Sequence, residues 1–446
     1  MFRISLTTWI VRFVLVGATV APSWSMGPAR AAASASATAD PAHPTDRLTL
    51  DRALELVRQR HPSVAAAEAR VRAAEAEREQ ADAWANPRLG LDAEGFGGDD
   101  QSGLEPDEFA LSLGWPLHPL LTRGRRASVA EARTALARAA LERAEWELLA
   151  ATRSAYHRAL VADDQVDFAE RRLDLTARTV EAFTAQVDAG EASPIQLLRA
   201  EVESETARSD LEAARAERRI AHRELAALWV ESLDEPLNLT GRSDDHVALS
   251  GVDSLERELI EHHPLLRESR WRREIESRGE QLAARARWPE ITPRAGIRWL
   301  HDGGDQDFVA GIGIELPLFD RRDAARQAAA RRTEAADGDL AALEFELRTQ
   351  LHNALEELHV RAGALEDYDE RIVPRARDAL DRVRIGQEAG KFGALELLDA
   401  QRALVAAEEG RFRAHTTYDR VVVQIESLLG RGITAPAPHS PAEDPR

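Results

Sequence analysis

The spacing of apolar positions changes period several times along the chain, and the changes recur in the same order. Leu48 to Arg60 carries an apolar residue every three or four positions, and a second helical stretch runs from Pro62 to about Trp84. Proline suits a first helical position and pushes the residue before it out of helix, so His61 marks a break. The period then falls to two. Leu89, Leu91 and Ala93 alternate with Gly90, Asp92 and Glu94, and Phe109, Leu111, Leu113 and Trp115 alternate with Ala110, Ser112 and Gly114. Much later, Ala295, Ile297 and Trp299 alternate with Gly296 and Arg298, and Phe308, Ala310, Ile312, Ile314 and Leu316 with Val309, Gly311, Gly313 and Glu315. These segments predict strands at about 87–97, 107–116, 293–301 and 307–317, each near the roughly ten residues of a membrane-crossing strand. Polar, Gly- and Asp-rich loops join each pair, Gly97 to Asp107 and Asp302 to Asp307.

After each strand pair comes a very long stretch with helical character. Leu120 to Asp188 has no proline and almost no glycine, and Arg321 to Gln387 is interrupted only at Pro374. A helix of that length spans roughly 100 Å, too long for a globular domain, and it predicts coiled coils. Leu351, Leu358, Leu365, Ile372 and Ala379 stand seven apart. Leu211, Ala214, Arg218, Ala221, Leu225 and Leu228 alternate steps of three and four, with Arg218 the exception. Such spacing keeps one seam on a partner helix, and its many alanines let the helices approach closely. Pro374 is expected to bend its helix or to sit at a distortion.

The order of landmarks amounts to an internal duplication. His61-Pro62 is answered by His263-Pro264, Pro87-Arg88-Leu89-Gly90 by Pro293-Arg294-Ala295-Gly296, and Trp115-Pro116-Leu117 by Leu316-Pro317-Leu318. Ala189-Gly190 with Leu197-Leu198-Arg199-Ala200-Glu201 is answered by Ala389-Gly390 with Leu397-Leu398-Asp399-Ala400-Gln401. The expected organisation is a signal peptide over 1–33, a linker over 34–47, a first repeat over 48–250, a second over 251–430 and a disordered tail over 431–446. The signal reading rests on Arg3, the apolar run from Trp9 to Pro22 and the small residues around Ala31; the alternative is a true start at Met26.

Composition narrows the function classes. A formal net charge of -19 is the wrong sign for a nucleic-acid binder and suits a soluble surface or a cation-tolerant lining. With no cysteine there is no disulfide, thiolate site, Cys nucleophile or lipidated Cys. The 13 histidines form no His-Glu-x-x-His and no dense ligand cluster, so no metal cofactor is expected, and no nucleotide or nucleophile motif appears. After the leader no apolar run approaches the ~20 residues of a spanning helix, so a membrane crossing would have to use strands. Four strands cannot close a barrel, and an open edge cannot face lipid. Either several chains share one barrel or the strands are not in a membrane.

The duplicated plan with its two-strand inserts resembles the TolC-type outer-membrane efflux proteins over about Leu48 to Leu429. The most specific match is Gly390-Lys391-Phe392-Gly393-Ala394-Leu395-Glu396-Leu397-Leu398-Asp399-Ala400-Gln401-Arg402, similar to the family's glycine-to-LeuAspAlaGln hairpin-tip signature. The layout and the missing lipid-anchor cysteine look most like the heavy-metal, CzcC-like branch. The resemblance implies three chains sharing a twelve-stranded outer-membrane β-barrel above a periplasmic α-helical coiled-coil barrel. It also implies a periplasmic adaptor and an inner-membrane pump of the RND or a related type as partners, with no cofactor and no enzymatic activity.

Within that frame Glu396 and Asp399 match the acids that narrow the periplasmic aperture, where mutual repulsion and cation attraction would act. Two acids three residues apart are usually a solvated face; at the tip motif the gate reading is preferred. The first repeat has Gln196 and Arg199 instead, so the tips differ. Gly190 and Gly390 are expected to turn the chain through positive φ. Gly190, Pro194, Leu198, Gly390, Lys391, Phe392 and Leu398 form the expected tip and adaptor-docking set. Pro116 and Pro317 are expected at strand-to-helix junctions, because proline cannot stay in a ladder. The competing reading is a soluble periplasmic coiled-coil scaffold or adaptor, which explains the helices but not four matched strands.

Overall fold

A computed structural model describes residues 47–96, 108–190, 192–229, 237–240, 251–285, 289–300, 305–316 and 318–431. The leader, the linker, nearly all of the tail, most of both strand loops and Pro317 lie outside the described residues. The described chain is mostly helical with one four-stranded antiparallel sheet. The first half runs α1 (Leu50–Arg60), α2 (Pro62–Ala81), β1 (Arg88–Glu94), β2 (Glu108–Gly114), α3 (His118–Asp188) and α4 (Pro194–Ala227). The second runs α5 (Val252–His262), α6 (Pro264–Arg285), β3 (Glu290–Leu300), β4 (Gln306–Glu315), α7 (Asp323–Asp367), a π turn (Tyr368–Ile372), α8 (Val373–Glu388) and α9 (Ala394–Leu429). The element order is the same in both halves. Among the described residues no helix is long and apolar enough to cross a membrane.

Pro62 and Pro264 stand at first helical positions, with His61 and His263 extended before them. The buried seam between α3 and α4 is lined by Val166, Ala169, Leu211 and Ala214. Nearer the strands, Ala155, Tyr156, Ala159 and Ala162 of α3 pack with Leu56 and Val57 of α1 and with Leu225 and Trp229. The second half has its own core, where Leu347, Leu351, Leu358 and Leu365 of α7 meet Val421, Ile425 and Leu429 of α9. Trp146 of α3 joins the halves. Its indole donates to the Ser427 carbonyl at 3.0 Å, and its ring sits where a side chain on Gly430 would be.

The heptad count fails at one place. The seam follows steps of three and four through Leu358, Arg361, Leu365 and Tyr368, and the next fully buried position is Val373, five residues on, with only the half-buried Asp369 between them. The Val373 N–H bonds to the Tyr368 carbonyl, which is the π-type pairing, so the turn absorbs one extra residue. Beyond it the seam continues through Ala376, Leu380 and Val383, while the expected seam residues Ile372 and Ala379 are exposed. Pro374 follows at once, and its missing N–H fits a turn whose pairing is already broken. The Tyr368 ring rests on Gly410 of α9.

The sheet order is β1-β2-β3-β4. β1 and β2 have seven residues each, shorter than expected, whereas β3 has eleven and β4 ten. Pro293 was expected to open β3 but lies inside it, opposite Ile312. Its carbonyl accepts from Trp115, and Leu117 then donates to the Ile291 carbonyl, so the missing proline N–H leaves one gap in a pairing that continues past it. The register gathers the alternation of all four strands onto common faces. Leu89 pairs with Leu113, Leu111 with Ile297, Phe109 with Trp299, Ile297 with Phe308 and Ile291 with Ile314. One face is therefore apolar apart from Gln306, opposite Trp299 at the start of β4, and largely exposed, with Leu89, Phe308 and Ile312 about 70% accessible. The other is polar or small apart from Leu300 and Val309. A Cβ at Gly296 would lie 2.3 Å from the Leu111 carbonyl oxygen, so this close approach requires glycine.

Asp419 of α9 is buried, with His157 Nε2 of α3 at 3.5 Å and His415 Nδ1 at 2.8 Å from its carboxylate. Burial holds the His157 imidazole below the ordinary histidine range, partly offset by Asp419 and reinforced by His415. Burial does the same to His263, against the pull of Glu147. The unfolded chain therefore takes up these protons first, and stability is full above the ordinary histidine value of about 6.5 and lost as pH falls through it. The midpoint of thermal unfolding, followed by helical ellipticity, should drop between about pH 7 and pH 5, and His157→Gln should reduce that drop. The seam shift has its own test: Leu365→Ala should cost about 2–5 kcal/mol in denaturant unfolding, and Ile372→Ala no more than about 0.5 kcal/mol.

Candidate functional site

The tips lie where α3 meets α4 and where α8 meets α9. Gly190 (φ +74°) and Gly390 (φ +71°) end their helices in the left-handed region that side chains disfavour. At the second tip the Gly390 N–H bonds to the Gln387 carbonyl and the Lys391 N–H to the Gly386 carbonyl, the paired bonds of a Schellman turn. At the first, the Gly190 N–H bonds to the Val187 carbonyl. The outgoing helices start alike. The Ser193 hydroxyl accepts from the Ile195 N–H, Gln196 Oε1 accepts from the Ser193 N–H at 3.0 Å, and Pro194 holds the first helical position. Glu396 Oε2 accepts from the Gly393 N–H at 3.0 Å. Glu396 thus does the capping that Gln196 does in the first tip, and differs from it by a charge.

The tip residues separate into a surface set and a packed set. Lys391 is exposed, and the Phe392 ring, about half exposed, lies over Gly386, where a Cβ would come within 2.2 Å of it. Leu198 is 59% exposed and continues an apolar stripe with Ile195 and Val202 along α4. Leu398 is different: it is 1% exposed, packed with Phe183 and Ala200, and so is no surface for a partner. It pins the start of α9 against both helices of the first hairpin. Asp399 is exposed and faces Arg402 at 3.6 Å, and Arg402 also pairs with Glu203 of α4. Thr179 Oγ1 of α3 meets Gln401 Oε1 of α9 at 3.2 Å. Phe183, Arg402, Glu203 and Thr179 were not singled out from sequence. Their role arises from the approach of two hairpins about 200 residues apart, which no local motif records.

Pro116 sits between the last residue of β2 and the first turn of α3, and its neighbours Trp115 and Leu117 donate to the Pro293 and Ile291 carbonyls. Among the described residues no group of three or more His, Asp or Glu side chains is placed to hold a metal ion. The arrangement offers two specialised surfaces: paired capped tips, and a sheet with one face that is apolar except at Gln306.

Known proteins share this arrangement. The outer membrane efflux protein family matches twice, over residues 53–230 and 255–431. The cobalt-zinc-cadmium resistance protein CzcC of Cupriavidus metallidurans is 29% identical over 309 residues, covering 67% of this chain and 73% of CzcC. The crystal structure of CusC, described in terms of transmembrane channel formation, superposes with a TM-score of 0.73 at 19% identity, over 86% of this chain and 92% of its own. The open MtrE outer membrane channel of Neisseria gonorrhoeae gives 0.71 at 19% identity, over 86% and 89%. The two family matches span most of the chain, one in each half, and the protein belongs to the outer membrane efflux protein family.

Proposed function

We propose that this chain is one of three that together close a twelve-stranded barrel in the outer membrane and continue it into a periplasmic helical duct. The duct is a passive conduit, and a periplasmic adaptor and an inner-membrane pump of the RND or a related type supply the energy by engaging the tips. The two halves are copies of one unit, a reading supported by the repeated element order and the two family matches. The observation that carries the proposal is the sheet. Its four strands are apolar along one face except at Gln306, and among the described residues β1 and β4 have no neighbour on their outer sides. Lipid accepts the apolar face but not the open edges, and further strands from sister chains satisfy both. A soluble scaffold would have to cover that face with protein and still cap two edges.

The substrates we assign are divalent metal cations, on the strength of the resistance function named for CzcC, with small toxic compounds as the wider class. Glu396 and Asp399, both exposed at the second tip, are placed at the periplasmic aperture, with Leu198, Lys391 and Phe392 on the docking surface.

Detergent extraction of the outer-membrane fraction, followed by mass measurement, should yield a species of three chains. A monomer or dimer that dissolves without detergent would overturn the shared barrel. In single-channel recordings Glu396→Gln combined with Asp399→Asn should reduce cation preference. The glutamine keeps the cap, as Gln196 does in the first tip, so unchanged selectivity would count against the aperture assignment and not against folding.

A further inference from the structure

The polar face of the sheet is banded by charge, and its middle band is basic. The register places Arg88, Gly114, Arg294 and Gly311 side by side in one row across all four strands. The next row outward, Gly90, Ser112, Gly296 and Val309, carries no charge. Beyond it stand Asp92, Ala110, Arg298 and Asp307, and Arg298 is paired with Glu108 at 3.1 Å. On the other side Thr292 faces Gly313, and then Glu290 faces Glu315. Arg88 and Arg294 are exposed, and among the described residues neither has an ion-pair partner. Four residues of strand, about 13 Å, separate the backbones of this row from the acidic rows on either side, although the Arg294 guanidinium reaches back to Gly313, one row short of Glu290 and Glu315.

The glycines shape this band. A Cβ at Gly114 would lie 3.0 Å from the Arg294 Cγ, and one at Gly313 would lie 3.5 Å from its Nη2. The Arg294 side chain lies across glycine-floored backbone and, among the described residues, forms no ion pair. Arg88 stands two strands away, about 10 Å between backbones, on the same face. A guanidinium presents a planar fork of donors that suits oxyanions and carboxylates.

We propose that the Arg88–Arg294 row is an anion site in the lumen of the barrel, taking small oxyanions or carboxylates. The proposal rests on the shared-barrel reading, in which three chains turn the row into a ring of guanidiniums. A metal cation leaving the acidic tip must cross that ring, and does so in company with anions gathered there. The outer-membrane segment thereby opposes the cation preference of the aperture.

The test uses the full-length protein in planar bilayers under a potassium chloride gradient, with inorganic phosphate as the anion probe. The double variant Arg88→Gln, Arg294→Gln should shift the reversal potential toward potassium, with a severalfold lower chloride-to-potassium permeability ratio, and should lose the reduction of chloride current by phosphate. Arg88→Lys with Arg294→Lys should keep the wild-type reversal potential, which makes charge and not folding the cause. Wild-type conductance with a reversal potential indifferent to both double variants would overturn the anion site alone. No conductance from the wild-type chain would overturn the conduit reading, and this site with it.

Discussion

Backbone hydrogen bonds that have no partner inside the chain set the terms for everything else here. Among the described residues, a sheet of four strands leaves the outer N–H and C=O groups of β1 and β4 unmatched, and each such group costs free energy wherever water cannot reach it. The same sheet shows a broad apolar face that water disfavours. These two demands conflict for a solitary chain and agree for a closed ring of chains. The glycines on the polar face belong to the same logic: at Gly296 there is no space for a side chain between neighbouring strands.

The helical body answers a different problem, that of holding rods of about 100 Å side by side without a globular core. Alanine at the seam keeps the axes close, and the larger side chains gather where three or more helices meet, as around Leu225 and Ile425. Where the second half needs still closer contact, an aromatic ring is seated on a glycine: Phe392 on Gly386, Tyr368 on Gly410 and Trp146 on Gly430. About half of the arginine–carboxylate pairs join residues three or four apart on one helix and the rest join neighbouring elements; the exposed ones are individually worth about 0–1 kcal/mol. They solvate the rods more than they bind them.

Most of this architecture was legible because it rests on periodicity. Alternation located all four strands, and proline and glycine located the helix breaks at Pro62, Gly190, Pro264 and Gly390. Strand ends were less legible: Pro293 reads as a boundary and is interior, because the bonds from Trp115 and Leu117 and the pairing with Ile312 carry the sheet past the one N–H it lacks. The tip was half legible. Its glycines and caps follow from local chemistry, but Leu398 reads as one more apolar tip residue, and only the proximity of Phe183 and Ala200 makes it core. The contacts of Arg402 with Glu203 and of Thr179 with Gln401 join residues far apart in the chain, and pairings of that kind leave no trace in a single sequence.

The π turn at Tyr368–Ile372 acts as a frameshift that the fold corrects. Steric periodicity is read from Leu351 onward in one frame and from Val373 onward in the next, yet the buried stripe runs on along α8 because the widened turn swallows the odd residue. Two segments of one rod therefore follow different bookkeeping in sequence while sharing a single edge in space. A substitution series laid out by counting sevens would be right on the strand side of the turn. On the tip side it would mutate solvent-facing residues under the name of core.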